Sequence, residues 1–408
     1  MGFSKLPKFK KELSRIFSFR KNIWIINSFF FTYFFVDDLL MKAFPLYIKH
    51  LGIPSSWWGY ILSGASLIGF FIIPPIGAIA DKHGRKLILY CSLSLAILAV
   101  IGILTSPYAL FVVGLMALIP VTRSINNITV NPLLAHTESR EERGIVFGVR
   151  DVFLHSGAAL GTFAGGWLLA AHYSGSSFRH IYLTALLFLF LTGFIVYFFD
   201  GKTKGPTGDE FKEGLLESFK EINNKKSLFI LSLLQVVRGF YPPLIAFIPI
   251  LGAEIGLKSS HIMYVIASST GVTALLSLVG GKLSDLLNRK KMYLTDIFFD
   301  LLILFALIFA RNIYVFSLGL GLMAINSTFY ANINAYIYDL FEEAQASRAV
   351  SVLSSTTKIT GIFAPAIIGF LWGIDRKIAL SLGILGSGIA FLLGKYLLPE
   401  SKKDLPQN

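Results

Sequence analysis

The chain has 408 residues, 54% of them hydrophobic and only 15% charged, with a mean hydropathy of +0.66. A soluble protein carries about a quarter charged residues, so this composition excludes one and indicates a polytopic membrane protein. One cysteine, Cys91, excludes an intramolecular disulfide and a multi-cysteine metal or redox centre; the net charge of +13 is read as basic cytoplasmic loops, not as a nucleic-acid surface.

Residues 1–21 form a basic tail that runs straight into apolar sequence, and no cleavable signal peptide is expected. A helix needs about 20 apolar residues to cross the hydrocarbon layer. Runs of that length predict twelve membrane helices, at 22–47, 57–80, 86–105, 108–136, 145–171, 180–199, 227–251, 260–283, 290–310, 313–339, 347–373 and 376–398. Residues 200–226 are hydrophilic and read as a cytoplasmic linker between two six-helix bundles, 22–199 and 227–398, with a second cytoplasmic tail at 399–408. Twelve spans put both termini on one side. That side holds 25 Lys and Arg residues and the opposite loops hold six, so both termini are expected in the cytoplasm.

Between spans two and three lies Gly77-Ala-Ile-Ala-Asp81-Lys-His-Gly84-Arg85-Lys86. A copy stands 204 residues further on, with Gly281, Asp285, Arg289 and Lys290 in register and Asn288 in place of the second glycine. The same offset pairs Pro45 with Pro249, Gly52 with Gly256 and Tyr60 with Tyr264. Each half has six spans and hence the same orientation. A parallel repeat of this kind is a transporter plan, with the site between the halves near mid-membrane.

The first loop matches G-x-x-x-D-[RK]-x-G-R-[RK], and with the repeat and linker it makes the chain resemble the major facilitator superfamily along essentially its whole length. The resemblance implies an all-α fold of two pseudo-symmetric six-helix bundles. It also implies a cytoplasmic gate formed by Gly77, Asp81, Gly84, Arg85, Lys86, Gly281, Asp285 and Arg289. The glycines would allow close packing and a tight turn. Asn288 in place of glycine is expected to loosen the second latch. In span five, Gly148, Gly157, Gly161, Gly165 and Gly166 follow G-x8-G-x3-G-P-x2-G-G, a pattern associated with the superfamily's antiporters, with Thr162 where the proline stands. Small residues let helix backbones approach closely, so a tight seam is expected there.

Ionisable residues inside spans are costly and mark functional candidates. Asp37 and Asp38 lie in span one, Arg123 in span four, Arg238 in span seven and Lys358 in span eleven. These spans line or border the central cavity in the family the chain resembles. Arg123, Asn127 and Asn131 fall on one helical face, with Asn126 beside them. The arrangement loosely resembles the span-four R-x-x-Q-G motif of proton-coupled drug exporters. A mid-membrane arginine stays charged and needs an anion, and Asp37 or Asp38 is nearest in depth. A carboxylate so paired stays ionised; a substrate competing for the arginine would let it take a proton. The same pair could instead simply join two helices, and Lys42, one turn on, could neutralise Asp38.

Gln235, Arg238 and Tyr241 share a face just before Pro242 and Pro243, which should break the helix. Two acids facing Arg123, Arg238 and Lys358 would leave a surplus positive charge suited to a carboxylate or phosphate compound. Asp296 and Asp300, in a span that is peripheral in the family, could absorb one of these charges. Arg150 and Asp151 are expected to pair with neighbouring helices or loops. The seven histidines show no metal spacing, and Gly201-Lys-Thr203 lacks the upstream glycine of a phosphate loop.

The sequence is thus read as a secondary active transporter of the plasma membrane, not an enzyme, working as a monomer in the lipid bilayer without cofactor or metal. Its partners are a small-molecule substrate and protons, with proton coupling at Asp37, Asp38 and Arg123. Substrate contacts are expected from Asn126, Asn127, Asn131, Gln235, Arg238, Tyr241 and Lys358. Export of small amphipathic molecules is the leading reading, and uptake or exchange of an organic anion the alternative.

Overall fold

A computed structural model describes residues 21–135, 143–171, 177–199, 222–286, 288–330, 333–341 and 343–400. The basic tail, most of the linker and the C-terminal tail read from the sequence lie outside the described residues. The described chain is helical: α1 (Lys21–His50), α2 (Ser56–His83), α3 (Arg85–Thr105), α4 (Ala109–Met116), α5 (Leu118–Ala135), α6 (Arg143–Ala171), α7 (Ser177–Tyr197), α8 (Lys225–Arg238), α9 (Tyr241–Ala246), α10 (Ile248–Glu254), α11 (Ser259–Leu286), α12 (Arg289–Ile308), α13 (Ile313–Tyr330), α14 (Ile333–Leu340), α15 (Glu343–Ile374) and α16 (Arg376–Leu397).

Among the described residues, nine helical segments are long and apolar enough to cross a membrane. Expected spans eight and nine correspond to α11 and α12, and the apolar part of span ten is shorter, at Ile313–Phe329. α12 is less apolar because it carries Asp296 and Asp300 behind a basic first turn.

Two expected spans are broken helices. Span four divides at Ala117 into α4 and α5, where Pro120 cannot donate to the Met116 carbonyl. Span seven divides into α8, α9 and α10, each later piece opening with proline in its first turn, where no amide is needed. The first of these breaks falls at Gly239-Phe240, immediately after Arg238. A Cβ on Gly239 would strike the Thr360 side chain, so α15 packs closely against the break.

α1 is the most enclosed helix, packed against α6 and α7, with Phe29, Phe30, Tyr33 and Phe34 in its core face. α12 packs in turn on α13 and α16. The first seven helices meet the later ones chiefly through α6 with α11 and α2 with α15. These contacts gather at the end reached by the last turn of α1. There Gly59 lies against the Pro365 carbonyl and Gly369, Gly165 and Gly166 lie against Met263 and Tyr264, and Trp58 Nε1 donates to the Ala246 carbonyl at 2.9 Å. Towards the opposite end a Cβ on Gly77 or Gly148 would meet nothing within 4 Å, and Thr357 and Lys358 of α15 are exposed. The described contacts between the two sets of helices thus lie towards one end.

Candidate functional site

The α1–α5 contact carries the first charge cluster. Arg123 Nη1 lies 3.0 Å from Asp37 Oδ2, and the guanidinium sits over the Phe34 ring, 5.2 Å from its centroid. The Asp37 side chain is 0% exposed and that of Arg123 43%. The guanidinium therefore covers the carboxylate, and an incoming group meets the arginine first. Asp38, one residue on, bonds to Lys42 at 3.5 Å within the same helix.

The polar stripe of α5 divides. Asn127 and Asn131 are partly exposed, with Asn131 Oδ1 accepting a 3.1 Å hydrogen bond from Arg150 Nη1. Asn126, expected to contact substrate, is 1% exposed and does not face the open space. It stands three positions after Arg123, a different angular position from the i, i+4, i+8 stripe. Arg150 reaches the neighbouring helices as expected, through Asn131 of α5 and the Phe30 ring of α1, and it also pairs with Asp151 beside it at 2.5 Å. His155 lies one turn beyond Asp151 on α6, within electrostatic reach of Asp38, Arg150 and Arg123. The sequence reading passed over it; its i+4 spacing from Asp151 was the available signal.

The second cluster joins α8 to α12. Arg238 Nη1 lies 2.6 Å from Asp296 Oδ2, and Arg238 Nε lies 2.5 Å from Asp300 Oδ2; both acids are 0% exposed. Asn326 of α13 donates from Nδ2 to Asp300 Oδ1 at 3.1 Å. This corrects the charge count that supported an anion site. Both span-nine acids take up Arg238, so the cluster carries an excess of carboxylate. The helix judged peripheral faces inward through Asp296 and Asp300, one turn apart.

Of the remaining polar candidates, Tyr241 joins this cluster, its hydroxyl within hydrogen-bond reach of Asp300 and Asn326, whereas Gln235 and Lys358 lie outside it. Tyr241 lies beneath the Arg238 guanidinium at 5.9 Å, and Gln235 Oε1 accepts from the Thr357 hydroxyl. Lys358 is exposed on α15. A cavity of about 360 Å³ lies beside them, lined by Val236, Phe240, Ile359, Phe363 and other apolar or hydroxyl side chains. None of the charged candidates lines it.

The glycine pattern in α6 is a packing surface. A Cβ on Gly157 would strike the Phe31 carbonyl and one on Gly161 the Phe35 carbonyl, so the α6 and α1 backbones are in contact. Gly165 and Gly166 continue the surface onto α11, whereas Gly148 faces open space. The loop signature forms braces. Gly84 adopts φ +96° between α2 and α3, a conformation that favours glycine. Arg85 Nη1 donates to the carbonyls of Ile128 (3.3 Å) and Thr129 (3.1 Å), and Lys86 Nζ donates to those of Tyr197 (2.6 Å) and Phe199 (3.3 Å). In the second copy Arg289 pairs with Asp339 at 2.5 Å. Asn288, expected to weaken this copy, caps α12 by accepting from Lys291 N at 2.9 Å. It also donates to Glu400 Oε2 at 3.2 Å. Burial pushes the Glu400 carboxyl up, but hydrogen bonds from Lys290 and Asn288 outweigh it and hold the group below the usual range. The side chains of Asp81 and Asp285, and Gly281 as a packing position, lie outside the described residues.

The sequence model of the Major Facilitator Superfamily matches residues 26–241 and again 228–408. The chain belongs to the Major Facilitator Superfamily. It is 28% identical over 289 residues to the multidrug resistance protein MdtG of Salmonella choleraesuis, an alignment covering 67% of this chain and 69% of that protein. Its fold is similar to that of a bacterial homolog of the human lysosomal transporter Spinster in an inward-facing, unoccupied conformation, with a TM-score of 0.69 at 14% identity over 92% of this chain and 96% of that one. It is also similar to the outward-conformation transporter FucP, with a TM-score of 0.61 at 16% identity over 92% and 98% of the two chains. The protein is therefore a multi-pass plasma-membrane transporter of small molecules rather than an enzyme.

Proposed function

We propose that this superfamily member is a proton-coupled exporter of small amphipathic molecules, working by alternating access. In this reading twelve spans form two six-helix halves, 22–199 and 227–398, with both termini cytoplasmic and the monomer as the working unit. The end away from the contacts between the halves then faces the cytoplasm. The observation that carries the proposal is the Asp37–Arg123 pair, a fully enclosed carboxylate beneath a partly exposed guanidinium. A substrate that draws Arg123 away leaves Asp37 without its counter-charge in a low-dielectric site, and proton uptake relieves that cost. Asn127 and the exposed side of Arg123 offer polar contacts, and the apolar surface near Phe240 and Phe363 suits a hydrophobic body. Multidrug resistance in the MdtG relative supports export. The glycine seam supports a rigid α1–α6 unit that moves as one body.

The test is transport in proteoliposomes under an imposed pH gradient, with lipophilic cationic, neutral and anionic substrates. Asp37→Asn is expected to abolish gradient-driven movement while leaving the protein folded. A variant that still couples substrate to protons at the parent rate overturns the proposal.

A further inference from the structure

The second cluster holds more acid than base. One guanidinium faces two carboxylates, both 0% exposed. An uncompensated charge at that depth is strongly disfavoured, so it must be neutralised or replaced by a neutral form. Among the described residues, Arg238 is the one cation that acts on the two acids. α9 contributes Tyr241, α13 contributes Asn326, and α14 contributes Tyr336, stacked on Tyr293 below the acids. α16 carries its basic residues, Arg376, Lys377 and Lys395, only in its end turns.

Three oxygen atoms of the cluster lack a well-aligned donor. Asp296 Oδ1, Asp296 Oδ2 and Asn326 Oδ1 are buried, and none receives a well-aligned hydrogen bond. Asn326 is 6% exposed, and its amide faces both acids. A proton on the carboxylate pair cancels the excess negative charge and turns one acceptor oxygen into a donor. A metal cation needs several oxygen ligands and room for its own radius. Arg238 already occupies the space between the acids.

We propose that Asp296 and Asp300, with Arg238 and Asn326, form a second proton-binding site in which the carboxylate pair holds one exchangeable proton. The proton comes from a hydronium ion: its O–H bond breaks as the carboxyl O–H bond forms, and water is released. The site lies at the first break in span seven, where Arg238 ends α8, so occupancy sets how strongly α12 grips that break. The proposal deepens the transport reading by adding a coupling ion to the later helices, and it rests on that reading only for the use made of the proton.

The test is infrared difference spectroscopy of the full-length protein in lipid nanodiscs, titrated between about pH 5 and pH 9, a range that brackets perturbed carboxyls. The parent is expected to show a protonated-carboxyl carbonyl band that titrates. Asp296→Asn and Asp300→Asn should each remove it, because one acid then faces one guanidinium and stays ionised. Asn326→Ala, which keeps all three charged groups, should move the midpoint, and it serves if the aspartate variants do not fold. A parent without the band overturns the proposal, as does a band that both aspartate variants retain. A midpoint that shifts when sodium is replaced by N-methylglucamine makes this a metal-cation site instead and also overturns it. A band that follows Asp37→Asn leaves the export reading intact and removes this site. A band that follows Asp296 and Asp300 in a protein whose transport ignores the pH gradient does the reverse.

Discussion

The two charge clusters differ in stoichiometry and in access. Asp37 and Arg123 stand one to one, and the arginine side chain is 43% exposed. Arg238 stands against two acids, and only 14% of its side chain is exposed. The first pair can be opened by a competitor that reaches the exposed part of the arginine. The second cannot be reached that way, and its excess charge must be met by a proton or by rearrangement. The first is built to exchange partners and the second to hold two helices together until its charge changes.

Removing the arginine from each cluster tests this contrast most severely. Arg238→Gln leaves two buried carboxylates without a cation. It is expected to cost about 3–5 kcal/mol, the range for breaking a buried ion pair by deleting one partner. Thermal unfolding of the detergent-solubilised protein should show this as a large loss of stability. Arg123→Gln removes a side chain that is already partly open and leaves a single acid that can protonate. Its stability loss should be well under half that of Arg238→Gln, while gradient-driven transport is lost. Equal destabilisation by the two variants would erase the distinction between an exchanging pair and a fixed one.

The sequence made the first cluster readable and hid half of the second. Depth along two cavity-lining spans matches Arg123 to Asp37 or Asp38, which requires only counting residues from the span ends. The partners of Arg238 lie 58 and 62 residues away in α12. Pairing them depends on how α12 is rotated against α8, and hydropathy does not encode that rotation. Asn126 and Asn127 show the same limit at closer range, since adjacent residues on α5 point into packing and into open space. The helix breaks were more legible because proline acts on its own backbone. The signal at Pro242 and Pro243 located the disturbance, and the break formed just before it at Gly239-Phe240.

The α6 glycines extend the comparison to packing. Gly157→Ala drives a methyl group into the Phe31 carbonyl, a backbone atom that cannot rotate away. The expected cost is about 1–3 kcal/mol, typical of overpacking. Gly148→Ala, in the same helix and the same sequence pattern, meets nothing within 4 Å. It should be neutral or stabilising by up to about 1 kcal/mol from helix propensity. If unfolding measurements gave the two alanines the same effect, the pattern could not be read as a seam against α1.

The smallest effect separates the two copies of the loop signature. Arg85 donates to the Ile128 carbonyl, whose usual helical donor would be the amide of residue 132. That residue is Pro132, which has no N–H, so the carbonyl is free and Arg85 supplies the missing donor. Arg85→Ala is expected to cost about 1 kcal/mol, the net worth of a typical hydrogen bond. Pro132→Ala restores an amide at the right position, so in that background Arg85→Ala should cost measurably less, a coupling that a double-mutant cycle reads directly. Arg289 holds the equivalent place in the second copy but pairs with the Asp339 carboxylate, both side chains being partly exposed at 17% and 19%. Its removal should cost less than about 1 kcal/mol and should weaken with added salt, as partly exposed ion pairs do. Arg85 satisfies uncharged carbonyls in the helix next to it, so its contribution should survive the same salt. The two arginines occupy one sequence position in a repeat, yet the proline in α5 makes one a backbone brace and the acid in α14 makes the other an ion pair.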